Sequence, residues 1–294
     1  MIVLVLGRNG QVGKAVTSAL AHRHQVIALG RAELNLMTPG AVASAIRDAR
    51  PDLVVNAAAW TAVDQAEAEP EAAMRVNADA VAELAAATSV PVIHYSSDYV
   101  FDGYGDMPFI ETDTASPLNV YGVSKLAGEE ALRSAGNQHI ILRTSWVHAP
   151  GHANFVASML RLASERESLR VVADQIGAPT SATLIADVTS QLVDRYADDR
   201  PPPSGIYHLA AAGEVSWHGY AVELLAAALE FGHPLRCRLE AITAIPSAEY
   251  PQAARRPLNS RLDCTKLEAL LGATLPDWRD GVRETLVASL GVPA

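Results

Sequence analysis

Cysteine is scarce in this chain of 294 residues, where only Cys237 and Cys264 occur. Neither lies at a spacing that metal ligands use, and the nine histidines are scattered without an HExxH motif. These absences argue against a metal centre built on cysteine or histidine. So few cysteines in a chain of this length are typical of a protein from a reducing compartment.

Long apolar runs and an excess of positive charge are also missing. The first apolar run, residues 2–6, ends at Gly7 and is too short for the core of a signal peptide. No stretch of the sequence reaches transmembrane length. The net charge of −10 argues against nucleic acids and anionic membranes as partners, because both attract basic surfaces. We therefore expect a cytoplasmic protein with neither kind of partner.

The sequence does contain a regular alternation of predicted strands and helices. Predicted strands cover 2–6, 25–29, 53–55, 92–96 and 139–142, and predicted helices cover 10–22, 39–49, 67–87 and 119–134. With 49% apolar residues, such a chain can fill a large core. The alternation predicts the α/β class, with a Rossmann-type doubly wound parallel sheet and helices on both faces.

The alternation loosens after about residue 146. Helices are predicted at 154–164, 182–197 and 217–231, with one short strand at 206–209. We assign residues 1–145 and about 168–215 to a dinucleotide-binding domain. Residues from about 146 to 167 and from 216 to 294 are assigned to a smaller C-terminal substrate-binding lobe.

A glycine-rich turn follows the first predicted strand and begins the first helix. Gly7, Gly10 and Gly13 form a G-x-x-G-x-x-G pattern with Gln11 and Val12 between the last two glycines. Glycines let the backbone approach a ligand closely, and the helix amino end attracts a pyrophosphate. The pattern therefore predicts a dinucleotide-binding turn.

The end of the second predicted strand bears on which nicotinamide cofactor is used. Enzymes specific for NAD usually carry an acidic residue here to bind the ribose 2′-hydroxyl. This chain instead has Gly30 and Arg31. Arg31, together with Arg8, could bind a 2′-phosphate, which favours NADPH and leaves NADH as the second choice. A solvated surface arginine is the alternative interpretation of Arg31.

A tyrosine and a lysine lie four residues apart in the sequence Tyr121-Gly-Val-Ser-Lys125. On a helix they occupy one face, and a cation beside a phenol lowers the phenol pKa. Ser97 follows the fourth predicted strand, where ligands of parallel sheets bind. Its hydroxyl could donate to a carbonyl oxygen that Tyr121 protonates. We predict Tyr121, Lys125 and Ser97 as the catalytic residues.

Six segments extend this pattern over nearly the whole chain. They are NAAAWTAVD at 56–64, SDYVF at 97–101, PLNVYG at 117–122, RTSWV at 143–147, DQIGAPT at 174–180 and RRPLNS at 255–260. Together with the glycine turn they resemble the extended short-chain dehydrogenase/reductases, and within them the dTDP-4-dehydrorhamnose reductase family. The resemblance implies an NADPH-dependent reduction of the C4 keto group of dTDP-4-dehydro-L-rhamnose, with a nucleotide sugar as the small-molecule substrate.

The resemblance also implies roles for single residues. The residues matched to cofactor binding are Gly10, Gln11, Val12, Asn35, Leu36, Ala59, Trp60, Thr61 and Tyr95. Asp98 and Trp146 match substrate contacts. Tyr121 matches the proton donor, and Lys125 matches the residue that binds the nicotinamide ribose.

Some positions depart from the family pattern. Asn35 stands where Asp is common, and His148 where Tyr is common. Family members that form a Mg²⁺-bridged dimer use glutamates where this chain has Ala15 and Thr183. Both a Mg²⁺ requirement and a homodimer therefore stay open.

Three arginines, Arg255, Arg256 and Arg261, stand out in an acidic chain. We predict that Arg256 or a neighbour binds the substrate diphosphate, because arginine suits bidentate anion recognition. A surface salt-bridge patch is the alternative. Trp217 and Trp278 are predicted to be packing residues.

Three rival functions remain open for the chain as a whole. The enzyme could reduce another nucleotide 4-keto-6-deoxy sugar, or the chain could be a non-catalytic dinucleotide-binding regulatory subunit. An epimerase that recycles NAD is less favoured, because Gly30-Arg31 is a poor NAD signature.

Overall fold

The computed structural model describes residues 1–291. Its strands are β1 (Ile2–Leu6), β2 (Gln25–Leu29), β3 (Leu53–Asn56), β4 (Val92–Ser97), β5 (His139–Thr144), β6 (Val147–His148), β7 (Leu169–Val172), β8 (Ile176–Gly177), β9 (Thr180–Ser181), β10 (Gly205–His208), β11 (Val215–Ser216) and β12 (Ile242–Ile245). Six of them form a parallel sheet in the order β10-β5-β4-β3-β1-β2. The predicted Rossmann-type sheet is confirmed, including its sixth strand.

The helices are α1 (Gln11–Leu20), α2 (Ala41–Ala49), α3 (Val63–Ala68), α4 (Pro70–Met74), α5 (Ala80–Ala87), α6 (Val120–Ser134), α7 (Phe155–Glu165), α8 (Ala182–Ala197), α9 (Trp217–Glu230), α10 (Thr265–Leu271) and α11 (Trp278–Leu290). None of the helices in the described part is long and apolar enough to cross a membrane. Most predicted helices agree with these bounds to within a few residues.

The single helix predicted over residues 67–87 is wrong. The chain bends at Glu69, where α3 ends and Pro70 occupies the first turn of α4. Proline is tolerated there, but it cannot continue a preceding helix. A π-helical segment, Arg75–Asp79, then separates α4 from α5. Insertions of this kind often occur at functional sites, and this one borders the groove described below.

Both faces of the sheet are buried, which explains its continuous apolar strands. Val3 and Val5 of β1 face one core together with α1 and α8, whereas Leu4 and Leu6 face another together with α2 and α5. Successive side chains of a strand point to opposite faces, so one apolar run supplies both cores.

A third core lies outside the sheet. It joins α7, α9, α11, β7 and β12 around Tyr220 and Trp278, which are 1% and 0% exposed. Trp278 is thus a packing residue, as predicted. Leu169 packs with this distal core, while Leu267 of α10 packs against the sheet. The chain therefore crosses between cores more than once, and the domain boundaries stay predictions.

Strand order places the site. β1 lies between β2 and β3, so the connections after β1 run to opposite sides of the sheet. Ligands of such sheets bind at this switch point, beyond the carboxyl ends of the strands. The glycine turn follows β1 here, and residues 57–60 follow the neighbouring β3.

Candidate active site

The glycine turn is held tightly against the segment that follows β3. Gly7 has a φ of 86°, and a Cβ there would lie 2.7 Å from the backbone of Ala58. A Cβ on Gly13 would lie 2.1 Å from the Gly7 carbonyl oxygen. Gly10 precedes α1 and supplies no side-chain cap. The first N–H groups of α1 therefore remain available to an anion, as a pyrophosphate site requires.

A groove of about 230 Å³ opens beside this turn. Its lining includes Gly7, Gly10, Leu29, Gly30, Arg31, Leu34, Asn35, Leu36, Ala57, Ala58, Ala59, Trp60 and Val76. Seven of the predicted cofactor residues thus meet in one place, namely Gly7, Gly10, Arg31, Asn35, Leu36, Ala59 and Trp60. Val12 instead packs against the sheet core, Gly13 lies buried in α1, and exposed Thr61 lies just beyond the lining. A groove that lies beside a glycine turn and a free helix terminus fits a dinucleotide.

The two arginines predicted at the cofactor's ribose differ in their pairing. Arg8 forms an ion pair with Glu33 at 2.6 Å and donates to the Ala28 carbonyl. Glu33 also accepts the Gly30 N–H at 2.9 Å. Arg31 is exposed at the groove edge and pairs with no acidic side chain of residues 1–291. Its guanidinium is the cation of this edge that remains free for a phosphate.

Gln11 connects the glycine turn to the distal half. Its side chain donates to the Val147 carbonyl at 3.4 Å and accepts from Asn154 at 2.8 Å. Asn154 in turn caps α7. Gln11, which is predicted to bind the cofactor, therefore also connects the glycine turn to Val147 and Asn154.

Tyr121 and Ser97 meet at the carboxyl end of β4. Asn119 caps α6 by accepting the Gly122 N–H at 2.8 Å, which places Tyr121 in the first helical turn. The Tyr121 ring lies edge-on to Tyr99, with centroids 5.5 Å apart. The Ser97 hydroxyl donates to Asp98 at 2.9 Å and lies close enough to the Tyr121 phenol to favour a lower phenol pKa.

The expected lowering of the Tyr121 pKa is wrong for this structure. Burial raises the pKa of Tyr121 above its ordinary value, and the charge of Asp98 and the neighbouring Tyr99 raise it further. Only the hydrogen bond with Ser97 acts in the other direction. Lys125 does not counter the burial, because its amino group is directed elsewhere. The phenol is consequently held in its protonated form at neutral pH.

Lys125 lies one turn deeper in α6 and is 2% exposed. Its Nζ donates to the Tyr95 carbonyl at 2.7 Å and lies 3.4 Å from His94 Nε2. Burial lowers the pKa of Lys125 to about 8, although the charge of Glu129 raises it. The ammonium is thus still the main form at pH 7, but the neutral amine becomes accessible at a much lower pH than for an ordinary lysine.

The prediction that the Tyr95 side chain lines the cofactor groove is wrong. Its hydroxyl lies 2.6 Å from Thr189 Oγ1 of α8, its ring belongs to the sheet core, and burial raises its pKa. Strand alternation directs it to that face. Tyr95 supplies the site with its backbone carbonyl.

Asp98 is a buried carboxyl next to the catalytic pair. It is 2% exposed, and burial raises its pKa to about 6 against the effect of hydrogen bonds from Ser260 and Ser97. The predicted substrate contact is therefore a group whose charge changes close to neutral pH.

Trp146 has a backbone conformation that is unusual for a bulky residue, with a φ of 49°. Such strain persists where surrounding contacts hold it and often marks a functional site. The Trp146 ring stacks on Trp217 with centroids 3.7 Å apart, and Trp217 Nε1 donates to Gln175 at 3.1 Å. Trp217 packs as predicted, and its stack also positions Trp146.

A second pocket, of about 310 Å³, lies under the segment 247–258. Asp102, Gly103, Tyr104, Leu118, Gln175, Tyr250, Gln252, Arg255 and Arg256 are among its lining residues. Gln175 connects this pocket to the tryptophan stack. The pocket thus adjoins the side chains that position Trp146.

The three C-terminal arginines do not form one cluster. Arg256 pairs with Asp64 at 2.6 Å, and Arg261 pairs with Glu214. Arg255 lies over the Tyr104 ring and donates to its hydroxyl at 2.6 Å. Salt bridges therefore engage two of the three arginines, whereas Arg255 keeps an uncompensated charge at the pocket.

No metal site emerges in the part of the chain described, where no three His, Cys, Asp or Glu side chains converge. Both cysteines are free. Ala15 lies in α1 and Thr183 in α8, two helices that pack against each other.

Asn77 is a site residue that the sequence analysis missed. It lies in the π-helical segment, accepts the Trp60 N–H at 2.8 Å and donates to the Trp60 carbonyl at 3.0 Å. Its amide also donates to Ser124 of α6. A polar residue within an Ala-rich helix pattern was the available signal. Asn77 joins the groove wall to the catalytic helix.

The chain is similar in sequence to proteins of one known family along nearly its whole length. The chain matches the model of the RmlD substrate binding domain over residues 1–290. It is 47% identical to a dTDP-4-dehydrorhamnose reductase of Escherichia coli (strain K12), with 97% of each chain covered.

Solved structures agree with this match. A dTDP-4-dehydrorhamnose reductase from Clostridium acetobutylicum superposes with a TM-score of 0.88 at 31% identity, covering 97% of this chain and 98% of that one. The Bacillus anthracis reductase, solved in complex with NADP, gives 0.86 at 29% identity with the same coverage. The chain therefore belongs to the RmlD substrate binding domain family, which includes dTDP-4-dehydrorhamnose reductases.

Proposed function

We propose that the chain reduces the C4 keto group of dTDP-4-dehydro-L-rhamnose to give dTDP-L-rhamnose, with NADPH as the reductant. The observation that carries the proposal is the proximity of Tyr121 and Ser97 at the carboxyl end of β4, in the same sheet whose β1 leads into the dinucleotide groove. Full-length similarity to reductases of this substrate supports it. A regulatory subunit would have no need for a hydroxyl pair and a buried lysine in this arrangement.

The cofactor would be bound by backbone N–H groups of the glycine turn together with two cationic side chains. The free N–H groups of α1 would hold the pyrophosphate, and the unpaired Arg31 would bind the 2′-phosphate of NADPH. Lys125 would bind a ribose hydroxyl next to the nicotinamide. NADPH, when bound, supplies the hydride.

Tyr121 would act as the general acid. Its raised pKa keeps the phenol protonated, so the proton is present when negative charge develops on the C4 oxygen. Ser97 would donate a second hydrogen bond to that oxygen. In the described structure Ser97 donates to Asp98, so binding of the substrate would redirect this hydroxyl.

The pocket under residues 247–258 would bind the nucleotide part of the substrate. Arg255 brings a positive charge that no acidic side chain of residues 1–291 neutralises, and its guanidinium is held by the ring and the hydroxyl of Tyr104. It would contact the diphosphate, whereas Arg256 would shape the pocket wall through its pair with Asp64. Trp146 would contact the sugar.

The decisive experiment measures NADPH oxidation by the purified protein with a panel of dTDP-, UDP- and GDP-4-keto-6-deoxy sugars. We expect turnover with dTDP-4-dehydro-L-rhamnose and at least tenfold lower kcat/KM for the other nucleotides, about 1.4 kcal/mol of discrimination. Tyr121→Phe serves as the inactive control. Preference for a different sugar or nucleotide, or no turnover at all, would contradict the proposal.

A further inference from the structure

A buried histidine lies behind the catalytic lysine and is not used by the reaction proposed above. His94 lies in the middle of β4 and is 0% exposed. Its Nε2 lies 3.4 Å from Lys125 Nζ, and its Nδ1 lies 3.1 Å from the Asn56 amide nitrogen. Burial keeps the pKa of His94 well below its ordinary value, so the imidazole is neutral.

The hydrogen bonds around Asn56 determine which nitrogen of His94 carries the hydrogen. The Ala58 N–H can only donate, so the Asn56 atom 3.2 Å from it must be the oxygen. The Asn56 NH₂ group therefore faces His94 Nδ1 and donates to it. A neutral imidazole has a single N–H. The hydrogen of His94 consequently lies on Nε2, on the side of Lys125.

An N–H directed at Lys125 discriminates between the two forms of that side chain. An ammonium group has three donors and no acceptor, so it cannot accept a hydrogen bond from His94. A neutral amine can accept from His94 Nε2 while it donates to the Tyr95 carbonyl, which lies 2.7 Å away. Both contacts are satisfied only when Lys125 is neutral.

We propose that Asn56 and His94 are positioning residues for Lys125, which hold an N–H donor against its amino nitrogen and thereby favour the neutral amine. The inference deepens the proposed function, since Lys125 is the lysine of the catalytic set. It also connects the groove to that lysine, because Ala58, which orients Asn56, lines the groove.

The other charged groups around Lys125 do not explain a preference for the neutral amine. Glu129 lies one turn further along α6 and favours the ammonium form. Its carboxylate is engaged by Arg143 of β5 at 2.9 and 2.6 Å. Tyr121 of the same helix is protonated, and Asp98 acts on Tyr121. Burial favours the amine, and the geometry of the His94 N–H adds a second contribution in the same direction.

The consequence concerns what Lys125 can do for the reaction. A lysine at its ordinary pKa is a hydrogen-bond donor only. A lysine close to its titration midpoint near neutral pH can both bind a ribose hydroxyl and pass on a proton. His94 would set that midpoint from behind, without touching substrate or cofactor.

Lysine NMR gives a direct test, because the chain has only three lysines, Lys14, Lys125 and Lys266. Lys14 and Lys266 are exposed and serve as internal references. The pH titration of the ¹³Cε signals is followed in the full-length protein without substrate or cofactor. Lys125→Met assigns the third signal. Failure of the proposed reductase activity would leave this experiment unaffected.

His94→Leu removes the donor and adds no charge. We expect the titration midpoint of Lys125 to rise by about one pH unit, with the reference lysines unchanged. The pH profile of kcat for NADPH oxidation should shift in the same direction. His208→Leu is the matched control, since His208 is also 0% exposed, and it should leave the Lys125 midpoint unchanged. An unchanged midpoint in folded His94→Leu would overturn the proposal.

A measurement on the wild-type protein covers the case in which His94→Leu does not fold. The ¹⁵N shifts of the His94 imidazole report which nitrogen carries the hydrogen. We expect the hydrogen on Nε2 and a one-bond N–H coupling there. A hydrogen on Nδ1 would leave Nε2 as an acceptor for the ammonium and would overturn the proposal.

Discussion

The groove beside the glycine turn and the pocket under residues 247–258 are built in different ways. The groove lies at the ends of neighbouring parallel strands, and all of its lining residues belong to the first 76 residues. The pocket brings together Asp102, Leu118, Gln175 and Arg256 from distant parts of the chain. Its wall is tied to the first half by the Arg256–Asp64 pair and by the Asn119 bond to the Arg255 carbonyl at 2.8 Å.

Because of this difference, the two regions differ in how easily substitutions can change the ligand that each one binds. A groove at a glycine turn and a free helix end binds the pyrophosphate, which all dinucleotide cofactors share. A pocket made of side chains held by a few long-range bonds can change its ligand through single substitutions. The residues proposed to be catalytic belong to neither lining and lie on α6 and at the end of β4. The following predictions test this division, beginning with the largest expected effect.

Substitution of Tyr121 should cause the largest loss of activity. Tyr121→Phe removes the general acid and should lower kcat by ~10²–10⁴-fold while cofactor affinity is retained, because the groove is left intact. Stopped-flow kinetics and NADPH fluorescence titration measure the two quantities separately. Comparable losses in kcat and in NADPH affinity would show that the phenol contributes to cofactor binding rather than to proton transfer alone.

The second prediction concerns the stability of the fold around α6 and β5. Glu129 and Arg143 form a buried ion pair whose side chains are 1% and 3% exposed. Arg143→Met leaves a buried carboxylate unpaired and should lower the free energy of unfolding by about 3–5 kcal/mol. Urea denaturation measures the change.

The matched control for Arg143→Met is Arg161→Met, at an exposed pair with Glu165. That substitution should cost less than about 1 kcal/mol. Equal effects of the two substitutions would mean that the buried pair contributes no more than a surface pair.

Arg31→Ala should alter cofactor choice at the groove edge. Loss of the charge that would meet the 2′-phosphate should lower the NADPH-to-NADH ratio of kcat/KM by about tenfold, mainly through NADPH. Arg47→Ala, at an exposed arginine of α2, is the control. An unchanged ratio would assign Arg31 to the solvated surface.

Asp64→Asn should give the smallest effect and should be confined to the pocket. It removes the charge that pairs with Arg256, and this pair is partly exposed, so we expect less than about 1 kcal/mol of lost stability. The KM for the nucleotide sugar should rise a few-fold, while the KM for NADPH stays constant. A matching rise in the NADPH KM would show that the two regions are not independent.

Much of the groove was predictable because its signals are local. The apolar run of β1, the glycines after it and the Tyr121–Lys125 spacing each lie within a few neighbouring residues. The break at Pro70 was also present in the sequence but was overridden by the Ala-rich pattern around it. The π-helical segment had no local signal beyond Asn77, because it depends on contacts of Asn77 with Trp60 and Ser124.

Residue spacing alone determined the parallel sheet, the position of the glycine turn and the alignment of Tyr121 with Lys125, since periodicity and helical geometry act over short distances. The tertiary structure decided which way Lys125 points, that its neighbour is His94, and that Arg256 pairs with Asp64. It also reversed the expected direction of the Tyr121 pKa. Burial and long-range pairing determine protonation, and both depend on segments that are distant in the chain.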